Sequence, residues 1–273
     1  EDVARRVFGW KALRAEQLDA MDALVARRDV LALMPTGAGK SAIYQVAAVL
    51  IEGATLVISP LIALQRDQID HLVAAHGPAA VAINSRQGQA QRSRSWEAVR
   101  RHEAEYIFLS PEQLSKDDVV SRLTESNVSL IVVDEAHCVS MWGHDFRPDY
   151  LRLADAFDRL GRPPVAALTA TASPLVRREI IARLGLRDLV VIANGFDRPN
   201  LRLEVEHHVS DAEKRDAVVS TVAAMVGPVL VYTATRKDAE SYADALVRRG
   251  RRAAAYHGGM RAAQRDEIHR RFR

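Results

Sequence analysis

A short apolar run, Leu31-Ala32-Leu33, passes directly into Met34-Pro35-Thr36-Gly37-Ala38-Gly39-Lys40-Ser41 and then into Ala42-Ile43-Tyr44-Gln45. Strand, glycine-bearing turn and helix, in that order, constrain this chain more than any other stretch. Closely spaced glycines let the backbone turn tightly and aim successive N–H groups at one point, where the next helix adds its positive end. Phosphate oxygens are the natural ligand of such a cradle. Lys40 has the reach for the β- and γ-phosphates of a nucleotide, and Ser41 offers a hydroxyl to Mg2+. Thr36, Gly37, Ala38, Gly39, Lys40 and Ser41 are therefore the expected phosphate-binding residues. The strict pattern opens on Gly where this chain has Met34, but the Gly39-Lys40-Ser41 core is intact.

A second motif completes the chemistry. Leu130-Ile131-Val132-Val133 is a fully apolar strand that delivers Asp134 and Glu135 at its end, followed by Ala136-His137. Ligands of open parallel sheets bind outside the carboxyl ends of the strands, so this acidic pair and the phosphate loop share one edge. Asp134 is expected to hold Mg2+ together with Ser41. Glu135 is expected to orient and deprotonate an attacking water, with Lys40 and Asp134 as its catalytic partners. An Asp-Glu pair at a strand end is commonplace alone; its pairing with the phosphate loop makes it specific.

Short apolar runs alternate with helical patterns, as in a parallel sheet covered on both faces. Strands are predicted at 29–34, 54–59, 79–83, 105–109, 128–133, 164–169 and 189–193. Helices are predicted near 14–27, 41–52, 61–75, 86–101, 112–125, 147–161 and 173–184. The turn-forming stretch Asn194-Gly195-Phe196-Asp197-Arg198-Pro199-Asn200 interrupts the pattern. A second alternation follows, with strands at 201–207, 228–233 and 252–256 and helices at 211–226, 236–249 and 260–272. The reading is an α/β protein: a first domain over 1–195, a linker at 196–203, and the start of a second domain over 204–273.

Composition narrows the class. Of 273 residues 48% are hydrophobic, enough for one or two cores, and no run is long and apolar enough to cross a membrane. A single cysteine, Cys138, leaves no disulfide framework or multi-thiolate zinc site to build, which fits a reducing, cytoplasmic compartment. Residues 236–273 hold 11 basic and 5 acidic residues, a balance of +6 against −3 for the rest. Such a tail suits nucleic acid, and equally suits Arg-rich solvated helix faces.

Aromatics make up only 5% of the chain, yet Trp142, Phe146 and Tyr150 fall within nine residues shortly after the acidic pair. Aromatic and Arg side chains on a loop can stack on unpaired bases; a packed loop with Trp142 in the core is the plain alternative. Ser59-Pro60 and Ser110-Pro111 each read as a Ser cap before a Pro-initiated helix. Leu168-Thr169-Ala170-Thr171-Ala172 reads as a strand end and turn with two hydroxyls.

Taken in order, these motifs are similar to the helicase core of the RecQ family, within superfamily-two DNA helicases. Phe8-Gly9-Trp10-Lys11-Ala12-Leu13-Arg14-Ala15-Glu16-Gln17 resembles the family's adenine-reading motif, with Trp10 where Tyr is usual and Ala15 where Pro is. The phosphate loop matches down to Met34. Ser59-Pro60-Leu61-Ile62-Ala63-Leu64, Asp134-Glu135-Ala136-His137 and Leu168-Thr169-Ala170-Thr171-Ala172 follow. The stretch Ser140-Met141-Trp142-Gly143-His144-Asp145-Phe146-Arg147-Pro148-Asp149-Tyr150 resembles the family's aromatic-rich loop and is the most diagnostic. Phe196-Asp197-Arg198-Pro199-Asn200 and Ala255-Tyr256-His257-Gly258-Gly259-Met260 are also family-like.

The resemblance implies a RecA-like P-loop NTPase domain with a mainly parallel sheet and part of a second RecA-like domain. It implies ATP and Mg2+ as cofactors, with Gln17 on the adenine edge and Trp10 and Arg14 sandwiching its ring. DNA, single-stranded and at duplex junctions, is the implied partner. His137 would relay between the ATP site and a DNA-coupling loop carrying Trp142, His144, Phe146 and Arg147. The implied activity is DNA-stimulated ATP hydrolysis coupled to 3′–5′ translocation and unwinding, in DNA repair and recombination, in a bacterial nucleoid-associated setting. The arginine-finger motif is expected beyond residue 273, so this stretch alone is expected to show little stimulated turnover. A translocase or annealing ATPase without strand separation, and a nucleotide-gated DNA-binding module, are the alternatives.

Overall fold

Seven parallel strands form one sheet in the order β3-β4-β2-β5-β6-β1-β7. They are β1 (Val30–Leu33), β2 (Ala54–Ile58), β3 (Ala80–Ile83), β4 (Tyr106–Leu109), β5 (Val128–Val133), β6 (Val165–Thr169) and β7 (Val190–Ala193). The computed structural model describes residues 1–85, 87–142, 146–193 and 200–272. The chain divides into two units, Glu1–Asp197 and Arg198–Arg273, and the whole sheet lies in the first.

The inner strands β1, β2, β4, β5 and β6 form because their apolar runs have both faces to fill, while the edge strands β3 and β7 stay partly exposed. Leu31, Leu33, Leu56, Ile58, Ile131 and Val133 point into one core with the helices α5 (Gln89–Arg100), α6 (Asp117–Thr124), α7 (Leu153–Arg159) and α8 (Pro174–Arg183). Val30, Ala32, Val57, Leu130, Val132 and Leu168 point into the other with α1 (Asp2–Phe8), α2 (Ala15–Val25) and α3 (Lys40–Leu50). Helix α4 (Ile62–Ala74) adds Leu72 to that second core. In β5, Leu130 through Val133 are fully buried, worth about 1.5–3 kcal/mol per large apolar side chain. That anchors the residue that follows, Asp134. Leu33 pairs with Thr169 and Ala193, and Ile58 with Val133, so the turns after β1, β2, β5 and β6 leave from one edge.

Several sequence expectations change. Helix α1 was not anticipated; Gly9 ends it in the left-handed region, φ +69°. Residues 112–125 resolve into a 3-10 turn, Pro111–Gln113, and α6; residues 147–161 into a 3-10 turn, Pro148–Arg152, and α7. Ser59 does not cap α4, because Leu61 takes the N-cap position, and the Ser59 hydroxyl is buried without a hydrogen-bond partner among the described residues. Ser110 does precede a Pro-initiated turn, but its hydroxyl bonds the Glu112 side chain rather than backbone. Side-chain caps form instead at Ser173, which accepts from the Val176 N–H ahead of α8, and in the second unit at Ser210 and Thr235.

The second unit contains α9 (Asp211–Ala224), α10 (Arg236–Arg248) and α11 (Ala262–Phe272). Among the described residues it has no strand, so the strands predicted at 201–207, 228–233 and 252–256 are not formed. Their alternation survives: Val229, Val231 and Ala253 pack on Val219, Val222, Ala245 and Leu246, while Leu230 and Tyr232 face solvent. A strand also needs a ladder partner, and no ladder joins these segments.

Candidate active site

The phosphate loop occupies the carboxyl end of β1. Its first residue is tied sideways, the Met34 N–H donating to the Thr169 carbonyl at 3.1 Å. Gly39, at φ +80°, is the N-cap of α3, and a Cβ there would lie 2.6 Å from Gln17 Nε2. The left-handed backbone is what favours glycine here, while the Gln17 amide would have to move aside for a Cβ. At the first turn of α3 the Lys40 and Ser41 N–H groups precede any intrahelical acceptor, whereas the Ala42 N–H already donates to the Gly39 carbonyl at 3.1 Å. Lys40 folds back: its Nζ donates to the Met34 carbonyl at 2.9 Å and lies 3.5 Å from that of Pro35. Burial lowers its pKa, opposed by the charges of Glu135 and Asp134. Thr36 and Gly37 are exposed and Ala38 is buried.

The loop borders a cavity of about 500 Å³ that also brings in Trp10, Arg14, Gln17 and Ser41. The local cause lies in α1. With Gly9 left-handed, its N–H bonds the Arg5 carbonyl at 3.2 Å and the Trp10 N–H returns to the Ala4 carbonyl at 3.0 Å, folding the chain back over the last turn of the helix. The Trp10 ring then stacks on Phe8, centroids 4.8 Å apart and planes 19° apart. Gln17 is buried, donating to the carbonyls of Gly39 (2.9 Å) and Ala38 (3.3 Å) and accepting from the Arg14 N–H (2.8 Å). An adenine edge would have to exchange with these bonds.

Across the edge, the Asp134 N–H donates to the Ile58 carbonyl at 2.9 Å. Burial, with the Glu135 charge, pushes the Asp134 carboxyl up to about 6. Glu135 stands in the left-handed region at φ +50°, a conformation that costs a non-glycine residue about 1–3 kcal/mol and clusters at functional sites. Its Oε2 lies 3.3 Å from His137 Nδ1, which is 2.9 Å from Thr169 Oγ1. The Cys138 sulfur and the Glu135 carboxylate hold the His137 imidazole up at about 10. The 169–172 segment is thus more than a turn, since Thr169 links β6 to His137.

Beyond the 3-10 turn Ala136–Val139, the aromatics part ways. Tyr150 is fully buried, whereas Trp142 keeps 73% of its surface exposed, so the core placement of Trp142 does not hold. Phe146 is partly buried. Arg147 donates its backbone N–H to the Cys138 carbonyl at 2.9 Å and Nη1 to the Pro60 carbonyl at 3.2 Å, bracing the loop base. His144 lies outside the described residues, as does the 196–199 part of the linker motif.

Gln68, on α4, escaped the sequence reading. Its Nε2 donates to Ser41 Oγ at 3.0 Å, and its Oε1 accepts from Tyr44 Oη and Gln45 Nε2, each at 3.3 Å. No sequence signal marks it, because the contact spans 27 residues. The Ser41 hydroxyl and Asp134 carboxylate are hard oxygen donors, suited to Mg2+ completed by substrate phosphates and water. Among the described residues no group of three or more His, Cys, Asp and Glu is gathered for a metal, and a phosphate-completed Mg2+ site does not require one.

The sequence model of the DEAD/DEAH box helicases matches residues 14–178. The probable ATP-dependent DNA helicase RecS of Bacillus subtilis (strain 168) is 38% identical over 266 residues, covering 97% of this chain and 53% of that protein. The ATP-dependent DNA helicase RecQ of Pasteurella multocida (strain Pm70) is 36% identical over 271 residues, covering 99% and 42%. The chain thus spans about half the length of these curated relatives. Among solved structures, Mycobacterium smegmatis helicase Lhr bound to ssDNA and AMP-PNP superposes with a TM-score of 0.70 at 21% identity, covering 98% of this chain and 39% of that one. This likeness bears on the fold.

Proposed function

The chain belongs to the DEAD/DEAH box helicase family, and from that premise we propose that it is the motor part of a RecQ-type, ATP-dependent DNA helicase. The observation that carries the reading is a continuous path along one sheet edge. The phosphate loop is bonded to Thr169, Thr169 to His137, and His137 stands at the base of the turn that leads to the exposed Trp142. A nucleotide pocket is so joined to an aromatic loop.

In this reading Trp10 and Arg14 flank the adenine ring and Gln17 reads its edge. The backbone of Thr36 to Ser41 cradles the phosphates, and Lys40 leaves the Met34 carbonyl to reach them. Glu135 orients a water and takes its proton as the water oxygen attacks the γ-phosphorus and the bond to the ADP oxygen breaks. Mg2+, held from Ser41 and Asp134, would neutralise charge on the phosphate oxygens. His137 couples Glu135 to the loop of Trp142, His144, Phe146 and Arg147, which contacts single-stranded DNA by stacking and charge. Residues 204–273 are read as the beginning of a second RecA-like domain after a linker at 196–203. The substrate is ATP, the partner DNA with single-stranded regions and junctions, and the setting a bacterial nucleoid. The RecQ and RecS relatives, named as ATP-dependent DNA helicases, support ATP as substrate and DNA as partner.

The test is ATP hydrolysis by the intact protein with and without single-stranded DNA. Trp142→Ala is expected to lower DNA stimulation on the order of tenfold, the loss of one or two stacking contacts, with the DNA-free rate unchanged. Unchanged stimulation would sink the reading of the loop. A strand-displacement assay separates a helicase from a translocase or annealing ATPase, and phosphate release separates either from a nucleotide-gated binding module.

A further inference from the structure

We propose that Glu179, on α8, is a positioning residue that fixes where the aromatic loop leaves the core, through the hydroxyl of Ser140. The inference rests on the reading of that loop as the DNA-coupling element.

Ser140 is fully buried at the end of the turn that carries His137, and its N–H donates to the His137 carbonyl at 3.1 Å. Its hydroxyl acts in both directions. It donates to Glu179 Oε2 at 2.5 Å and accepts from the Trp142 N–H at 3.2 Å. One turn further along α8, Arg183 pairs with Glu179 at 3.5 Å and places Nη2 3.8 Å from Met141 Sδ. Helix α8 therefore touches Ser140 and Met141 directly and Trp142 through Ser140.

The exposure pattern says why such a tie is needed. Met141 and Trp142 are 60% and 73% exposed, so burial does not hold them. A short hydrogen bond to a carboxylate is about twice as strong as a neutral one and supplies the anchor instead. The Ser140 contact holds the Glu179 carboxyl below the ordinary carboxylate range, so it stays ionised at neutral pH. An ordinary i,i+4 pair explains Arg183 and Glu179. It leaves unexplained the reach to a buried hydroxyl 39 residues away. Helix α8 also starts just after Thr169–Ala172, and Thr169 touches His137. One segment thus grips the turn at both ends, at His137 and at Ser140.

The test compares Glu179→Ala, which removes the acceptor, with Glu179→Gln, whose carbonyl oxygen still accepts from Ser140. In the intact protein, Glu179→Ala is expected to raise the DNA concentration for half-maximal ATPase stimulation on the order of tenfold, the worth of a charge-assisted bond. The DNA-free rate should stay near wild type and the melting temperature should fall by a few degrees at most, the cost of one lost hydrogen bond, and Glu179→Gln should restore most of the DNA response. Ser140→Ala should reproduce the Glu179→Ala phenotype and serves if that variant does not fold. Hydrogen exchange at the Trp142 amide, followed in the 273-residue chain, should quicken in Glu179→Ala and not in Glu179→Gln. Wild-type DNA dependence and exchange in Glu179→Ala would overturn the proposal. A wild-type protein without DNA stimulation would instead overturn the reading of the loop, and the exchange rates alone would then decide whether Glu179 fixes it.

Discussion

The Tyr150 hydroxyl donates to the backbone carbonyl of Asp134 at 3.2 Å, closing a span of sixteen residues. The residue read as the metal ligand and the far end of the aromatic loop are thereby one hydrogen bond apart. Tyr150 is wholly buried, so the tie sits in a dry environment where a lost partner is costly.

Tyr150→Phe keeps the ring and removes the bond. It is expected to cost about 1 kcal/mol of stability and to weaken DNA stimulation while leaving nucleotide affinity intact. Thermal melting, fluorescent-nucleotide titration and DNA-stimulated hydrolysis read the three quantities. Loss of nucleotide binding along with DNA response would mean that Tyr150 supports the whole edge and not the loop.

Lys40→Ala is expected to abolish hydrolysis in the intact protein with little effect on folding. Lys40 is only partly buried and bonds just two loop carbonyls, so the melting temperature should move by no more than a few degrees, about what 1 kcal/mol produces. A collapse of the melting transition would assign Lys40 a structural role.

Gly39→Ala meets two obstacles, the left-handed backbone at φ +80° and the 2.6 Å approach to Gln17 Nε2. The expected cost is about 1–3 kcal/mol, accompanied by weaker nucleotide binding. Gln17→Ala removes the collision but also the Gln17 hydrogen bonds, so in that background Gly39→Ala should recover only part of its cost, the backbone strain remaining. Full recovery would locate the whole cost in the side-chain contact.

Glu105, just before β4, gives a pH signature. Burial raises its carboxyl from 4.5 to about 7, and Oε1 has no hydrogen-bond partner among the described residues. The folded state then holds this proton more tightly than the unfolded chain does, so stability falls as pH rises from about 4.5 to about 7 and levels off above. Glu105→Gln should flatten that part of the profile and melt higher than wild type at pH 8. Parallel profiles for the two proteins would show the carboxyl to be solvated.

The seven strands of the first unit, the phosphate loop and the acidic strand end were legible because each is local. A fully apolar run marks a strand buried on two faces, and strand, glycine turn and Lys-Ser define a cradle within about a dozen residues. Helix α1 escaped because seven residues ending at Gly9 carry little periodicity. The strands predicted at 201–207, 228–233 and 252–256 failed for the opposite reason. Their alternation is real, but a ladder is a property of two segments and not of one.

The side-chain ties of the site follow the same division. Sequence determined which residues stand at the carboxyl ends of β1, β5 and β6, because motif and strand are contiguous and parallel strands share an edge. Only the tertiary structure decided that Gln68 holds the Ser41 hydroxyl, that Tyr150 is buried against Asp134 while Trp142 stands in solvent, and that Glu179 reaches Ser140. Those partners lie 16 to 39 residues apart. Hydrogen bonds of a few ångströms form between them only after the strands and helices between have packed.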